Sequence, residues 1–450
     1  MTLSEDDLRE RLGAIAEWGT PAVVPPLPDS ERVVVSLDGR RPRAGRGWWA
    51  AAAAVLCVAL AAALLRSPAP VPIAAGTWSP MAAAPIAARS LAASVWTGTE
   101  VVVVGGQAGN GTMLRDAAAY NPTTNAWRVL PDSPVDVLPG ATAMWTGREV
   151  VIVNGRDTRL TEFPDGVYET PLAGPVALDP TTGTWRRLPE PSDWLRAAAA
   201  VDGTLVALVY RDLDLFVTAY DEPGGWRDVA RLDTGDLDLD DIREFDAVSA
   251  GGRVVFVSSK WIGYETKPPL VGFVVDPVTW ATTPIPGPPF EGPTPQVRAN
   301  VALTDAGALL MLATTQNEEH RYVHVAARYD IALSSWTSMK PLDRYPMYAE
   351  FFTGLGTAAV GEHVVVVGGI NSPAIIDKRK GGSLRMAYEV AANRWHRLPM
   401  PDLDLERVGH TTVWTGRELV VWGGLHHRRG ADNRADTPAP GGAVYRPEVA

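Results

Sequence analysis

The sequence predicts an all-β chain of seven repeated four-stranded sheets, preceded by a single apolar helix and a short polar segment. Three observations predict it. One phrase is written three times, as "ASVWTGTEVVVVGG" (93–106), "TAMWTGREVVIVNG" (142–155) and "HTTVWTGRELVVWGG" (410–424). Short apolar runs recur seven times, at 101–106, 150–155, 205–210, 254–259, 309–314, 364–369 and 419–424. A turn phrase closing on tryptophan recurs six times, as in "YNPTTNAW" (120–127), "LDPTTGTW" (178–185) and "YEVAANRW" (388–395).

The elements follow in chain order. Residues 1–46 are polar; "SEDDLRERLGAIAE" (4–17) has Ser4 and Asp7 at capping spacing, then Leu8, Leu12 and Ile15 on one narrow helical stripe. One short helix builds no core, so this stripe reads as a docking helix for a cytoplasmic partner or as a weakly ordered tail. Residues 47–66 hold "WWAAAAAVLCVALAAALL", 18 residues from Trp48 to Leu65 without a charge, enough for a single membrane-spanning helix. Arg40, Arg41, Arg43 and Arg46 precede it and only Arg66 follows, which places the N-terminus in the cytoplasm and the rest of the chain outside the cell membrane. A polar stretch this long before the apolar run, with no small-residue cleavage site after it, reads as an uncleaved anchor. Residues 67–76 are a Pro/Ala linker, and the repeats occupy 77–450.

Within each repeat the chemistry is that of strands and tight turns. Runs of Val, Leu and Ile suit strands buried on both faces. Asp-Pro or Asn-Pro followed by small polar residues is turn chemistry, and a double glycine lets a chain leave a strand close to a neighbouring backbone. Successive hairpin tryptophans stand 41 (Trp185 to Trp226) to 59 (Trp336 to Trp395) residues apart, the period of one four-stranded propeller blade. The architecture expected is therefore a seven-bladed β-propeller. Seven inner runs against six closing hairpins leave one tryptophan unaccounted for. The last repeat stops at Tyr445 without one, while "GTWSPM" at 76–81 offers Trp78 without a preceding tyrosine. The strand around Trp78 should therefore complete the last blade and close the ring.

The apolar strand, double glycine, Tyr and Trp together resemble the kelch-repeat β-propellers, including the bacterial galactose-oxidase-like branch. The likeness covers 77–450; it is good in the first, sixth and seventh units and eroded in the middle, most of all in the third. Trp78, Trp127, Trp185, Trp226, Trp280, Trp336 and Trp395 recur once per blade, so they read as packing residues between blades rather than as a sugar platform.

Candidate binding residues emerge when the repeats are aligned on the glycine after the first strand. Arg89, Arg243, Arg298 and Arg407 each lie nine residues before it, at the entry of the innermost strand, with Arg196 close but off register. Such arginines could rim the central channel and take carboxylates through paired hydrogen bonds, or each could pair with a carboxylate of the fold. The resemblance points toward ligand capture, since kelch domains that bind acidic peptides use arginines on this face.

Other chemistries find less footing. A net charge of −11 argues against a nucleic-acid role. The single cysteine, Cys57, falls in the apolar run, which rules out a disulfide within the chain and the copper-radical chemistry of galactose oxidase. His426 and His427 are adjacent and would face opposite ways, and Asp233–Asp246 lacks the glycine and oxygen ligands of a calcium loop, with Asp238 at the sixth position. No metal or cofactor is expected. The expectation is a membrane-tethered module that binds a protein, or an acidic or sugar ligand, through its loop face. The alternative is an extracytoplasmic carbohydrate-active enzyme, a metal-free hydrolase or epimerase, on the same face.

Overall fold

The computed structural model describes residues 73, 75–153, 161–163, 166–168, 174–191, 194–212, 214–222, 224–234, 242–262, 270–289, 296–304, 307–316, 322–339, 355–368, 384–402, 407–426 and 437–448. All belong to the compact unit Ser67–Ala450. The segment with Leu8, Leu12 and Ile15, and the apolar run 47–66 with Cys57, lie outside the described residues. Among the described residues no helix is long and apolar enough to cross a membrane.

The described chain is all β, and its strands group in fours as a seven-bladed propeller. Blade 1 is Ala93–Trp96, Val101–Val104, Ala117–Asn121 and Ala126–Leu130. Blade 2 is Thr142–Trp145, Val150–Val153, Val176–Asp179 and Thr184–Arg187. Blade 3 comprises Trp194–Val201, Thr204–Arg211, Asp214–Asp221 and Gly225–Arg231. Blade 4 comprises Ile242–Ala250, Arg253–Ile262, Leu270–Val275 and Thr282–Pro286. Blade 5 runs through Gln296–Leu303, Ala308–Gln316, Tyr322–Asp330 and Ser335–Ser338, and blade 6 through Leu355–Val360, His363–Gly368, Leu384–Glu389 and Arg394–Arg397.

Blade 7 is the seam. Its inner strands Thr411–Trp414 and Leu419–Trp422 and its third strand Gly442–Pro447 come from the end of the repeats; the fourth is Gly76–Pro80. Trp78 stands opposite Tyr445 in the antiparallel register, with ring centroids 5.0 Å apart. The Tyr445 hydroxyl donates to the Ile73 carbonyl at 2.6 Å, and burial pushes that phenol up to about 12. The innermost strand of each blade touches that of the next, and the seventh touches the first, so the ring is closed.

The apolar runs explain how seven sheets make one domain. In an extended strand successive side chains point to opposite faces. Val102 and Val104 accordingly pack toward blade 2, while Val101 and Val103 pack toward blade 7. The same split recurs at Val365 and Val367 against Val364 and Val366, and at Val254 and Phe256 against Val255 and Val257. Seven apolar clusters result, one in each gap between blades. A strand facing two such gaps has no polar side, hence the unbroken Val runs.

The WTG phrase is the turn joining the two inner strands. Thr97 N donates to Glu100 O, with Gly98 at φ 93°, and Thr146/Glu149 and Thr415/Glu418 repeat the arrangement. The middle repeats, where the sequence match to the family is eroded, still build four-stranded blades. Blade 3 is complete, with strands of 8, 8, 8 and 7 residues, and its second and third strands meet in a tight hairpin that pairs Arg211 with Asp214. The inner strands of blade 4 have 9 and 10 residues, against 4 and 4 in blades 1, 2 and 7. The second strand of blade 4 runs on until it pairs with the first strand of blade 5, setting Lys260 opposite Arg298 and joining the two blades into one sheet.

Candidate functional site

The antiparallel strand order puts the end of each second strand and the start of each first strand on one side of the ring. The described part of this face is fullest at blades 7 and 1, where local sequence makes a rigid corner. In blade 1 the double glycine stands at φ 63° (Gly105) and 88° (Gly106), and in blade 7 at 69° (Gly423) and 94° (Gly424). Side chains rarely adopt these angles. A Cβ on Gly106 would lie 2.6 Å from Ser90 O, and one on Gly423 2.8 Å from Arg89 O. The glycines end the strand and let the incoming loop pass directly over it.

Arg89 and Arg407 are the partners of these glycines. The Arg89 guanidinium is buried: Nη1 donates to Gly105 O (3.1 Å) and to Asp116 Oδ1 (2.6 Å), Nη2 to Asp116 Oδ2 (2.6 Å), and Nε to Ala87 O (2.8 Å). Arg407 Nη1 donates to Gly423 O (2.9 Å) and Gly441 O (3.2 Å), and its side chain is buried as well. In each blade the arginine joins the first glycine of the pair to the residue just before the third strand. These two side chains therefore hold their own blades together, and for Arg89 the partner is a carboxylate, Asp116, which is the second of the two readings that the spacing allows. Equal spacing marks equivalent positions; the carbonyls exposed by a double glycine decide where the guanidinium turns.

The other arginines meet no double glycine. Arg196 and Arg243 are each passed over by the pairing register, as the extra residue of a bulge in the innermost strands of blades 3 and 4. The Arg196 guanidinium stacks over Tyr210 at 4.8 Å from the ring centroid. Arg298 lies within the first strand of blade 5, between Lys260 and Thr314 in register. The side chains of Arg243 and Arg298 lie outside the described residues.

Backbone bonds lock the corner across the seam. Leu91 N donates to Gly409 O (2.7 Å), Gly424 N to Arg89 O (2.7 Å), and Ser90 and Gln107 exchange a bonded pair. A small sheet of Arg407–Val408, Leu425–His426 and Thr437–Pro438 rises from blade 7. His426 sits half-buried within it, and His427 lies outside the described residues. Leu91 is the residue that spacing arguments missed. It has φ 54°, a left-handed conformation that costs a leucine about 1–2 kcal/mol, and its side chain stays 42% exposed.

The blade tryptophans lie elsewhere. The indole N–H of Trp127 donates to Ala82 O, Trp185 to Pro131 O, Trp226 to Pro189 O, Trp336 to Pro286 O and Trp78 to Pro399 O, at 2.7–3.0 Å. Each acceptor lies at the end of the fourth strand of the preceding blade or just after it. Trp395 pairs with Tyr388 at 5.1 Å, and Trp280 takes the Arg227 guanidinium over its ring at 5.5 Å. An "LP" after the hairpin, at 130–131, 188–189 and 398–399, was the available signal for three of these acceptors.

A family model described as the Kelch motif matches residues 88–134. That span runs from just before Arg89 through blade 1, so it takes in the arginine, the double glycine and the Tyr120–Trp127 pair together. Blade 1 thus carries the Kelch motif, and the four-stranded sheets of the ring are consistent with a kelch β-propeller. Kelch repeats point to a protein-binding module, and the kelch blade here supplies one wall of the locked corner. Among the described residues no group of His, Cys, Asp and Glu could hold a metal ion.

Proposed function

We propose that this kelch propeller binds a protein partner on its loop face, and that residues 47–66 tether it to the cell membrane with the propeller outside. Leu91 carries the reading. A strained aliphatic residue, anchored by its own N–H to Gly409 O, leaves its side chain in solvent at the junction of blades 7 and 1. Such conformations persist where the surroundings over-determine them, which is characteristic of contact sites. Arg89 and Arg407 keep the corner rigid from below, while Arg243 and Arg298, in blades without a glycine pair to clamp, are assigned to contact with carboxylates of the partner. The tether rests on the uncharged run from Trp48 to Leu65 and the four arginines before it.

Cross-linking in intact cells, with wild type compared to Leu91→Gly, tests the face. Glycine relieves the backbone, so the variant should fold with unchanged or slightly raised Tm and lose the captured protein. Retention of the same partner at wild-type yield would count against the loop-face site. Proteolysis of intact cells tests the tether, which requires the propeller to be cleaved and the segment before residue 47 to be protected.

A further inference from the structure

His410 opens the innermost strand of blade 7, directly after Gly409 at φ 60°. Its ring is buried, and only the backbone carbonyls of Arg407 and Val367 approach it, outside good hydrogen-bond geometry for either nitrogen. The ring occupies room left by three glycines. A Cβ on Gly356 would stand 2.8 Å from Nε2, one on Gly368 would collide with Cε1, and one on Gly424 would lie 2.9 Å from the His410 Cβ. Gly356 and Gly368 belong to the two inner strands of blade 6, so the imidazole is a peg set between blades 6 and 7.

Among the described residues, the charge that acts on this peg is a cation. Arg407, three residues earlier on the same segment, is a buried guanidinium whose charge acts on the ring. On blade 6, Val367 presents its backbone carbonyl to the ring. From blade 1 the neighbour of Gly409 is Leu91, which is uncharged. Among the described residues no carboxylate acts on the ring. An imidazolium in this cage would lose its hydration and, among the described residues, would meet the Arg407 guanidinium, so relief would require water to enter.

We propose that His410 is an acid-sensitive latch beneath the loop face: proton uptake by its ring parts blades 6 and 7 and loosens the corner that Arg407 organises. Burial first, and then Arg407, hold the imidazole down to about 4, against an ordinary value of 6.5; the carbonyls of Arg407 and Val367 oppose this without outweighing it. The sign follows from linkage. The open form takes up the proton more readily, so the latch is fully closed above the ordinary value and gives way as pH falls from there toward 4. Its effect on partner binding rests on the loop-face reading; the opening itself does not.

The test uses the full chain and reads blade packing, so it is independent of any partner. Thermal unfolding is compared between neutral pH and about pH 4 for wild type, His410→Asn and His363→Asn. His363 is the control, because it is also buried and lowered by burial but has Glu389 acting in the opposite sense. Wild type and His363→Asn should lose Tm on acidification, and His410→Asn should lose distinctly less. An undiminished loss in His410→Asn overturns the latch. Should that variant fail to fold, NMR of labelled imidazoles in the wild type decides: one ring must stay neutral until the packing opens near pH 4. If every ring instead titrates near its ordinary value with the packing intact, the proposal falls.

Discussion

Blades 1 and 7 and blades 4 and 5 solve the same problem differently. In blades 1 and 7 the second strand stops after four residues, at a glycine pair in the left-handed region, and a buried arginine bonds the first glycine carbonyl. In blades 4 and 5 "SS" and "AT" stand in place of the glycines, and the second strands run for 10 and 9 residues. Residues that avoid positive φ cannot make the exit turn, so the ladder continues until blade 4 pairs with blade 5. The difference teaches that in blades 1 and 7 the glycine pair makes an exit turn that an arginine clamps, whereas in blades 4 and 5, without the pair, the second strand runs on.

The largest effect is expected where an arginine is a clamp. Arg89→Ala removes the bidentate partner of Asp116 and leaves Gly105 O without its donor, for a loss of about 3–5 kcal/mol in chemical denaturation. Arg196→Ala, in a blade without the pair, should cost about 1 kcal/mol through the lost contact with Tyr210. Equal losses would erase the distinction between the two kinds of blade. Next come the tryptophans. Trp185→Phe keeps a ring in the gap but gives up the bond to Pro131 O, about 1 kcal/mol. Trp280→Phe should cost less, since its ring meets Arg227 instead of a proline carbonyl.

The smallest effect concerns the braces between neighbouring blades. Arg186 bonds Glu149 of its own blade in bidentate fashion and also pairs with Glu222 of the next. Arg186 holds the Glu149 carboxyl below its usual range. Its contribution is therefore present above the usual carboxylate value and fades as pH falls through the lowered one. Glu149→Gln should cost under about 1 kcal/mol, because the pair is partly solvated. That gap between variant and wild type should narrow only in acid below the ordinary carboxylate range.

Much of this architecture was legible in the sequence, for a physical reason. A strand buried on both faces must be apolar throughout, so the Val runs counted the blades, and the tyrosine and tryptophan missing at opposite ends of the repeats located the seam at Trp78 and Tyr445. The middle blades were harder. Pairing of Lys260 with Arg298 joins strands of separate repeats, and no local pattern records it. The arginines were found by their spacing but not by their orientation, which depends on carbonyls exposed 16 residues further on, from Arg89 to Gly105 and from Arg407 to Gly423. Leu91 gave no signal at all, because a strained backbone angle leaves no mark in composition or period.

The most direct test exchanges the two strand endings. Gly423→Ser/Gly424→Ser installs in blade 7 the pair found in blade 4, and Ser258→Gly/Ser259→Gly does the reverse; urea unfolding is measured for both. Two side chains forced into left-handed angles should cost blade 7 about 2–6 kcal/mol. The glycines should cost blade 4 only about 1–2 kcal/mol in chain entropy. A serine pair that blade 7 accepts without loss would contradict the claim that glycine at this point ends the strand.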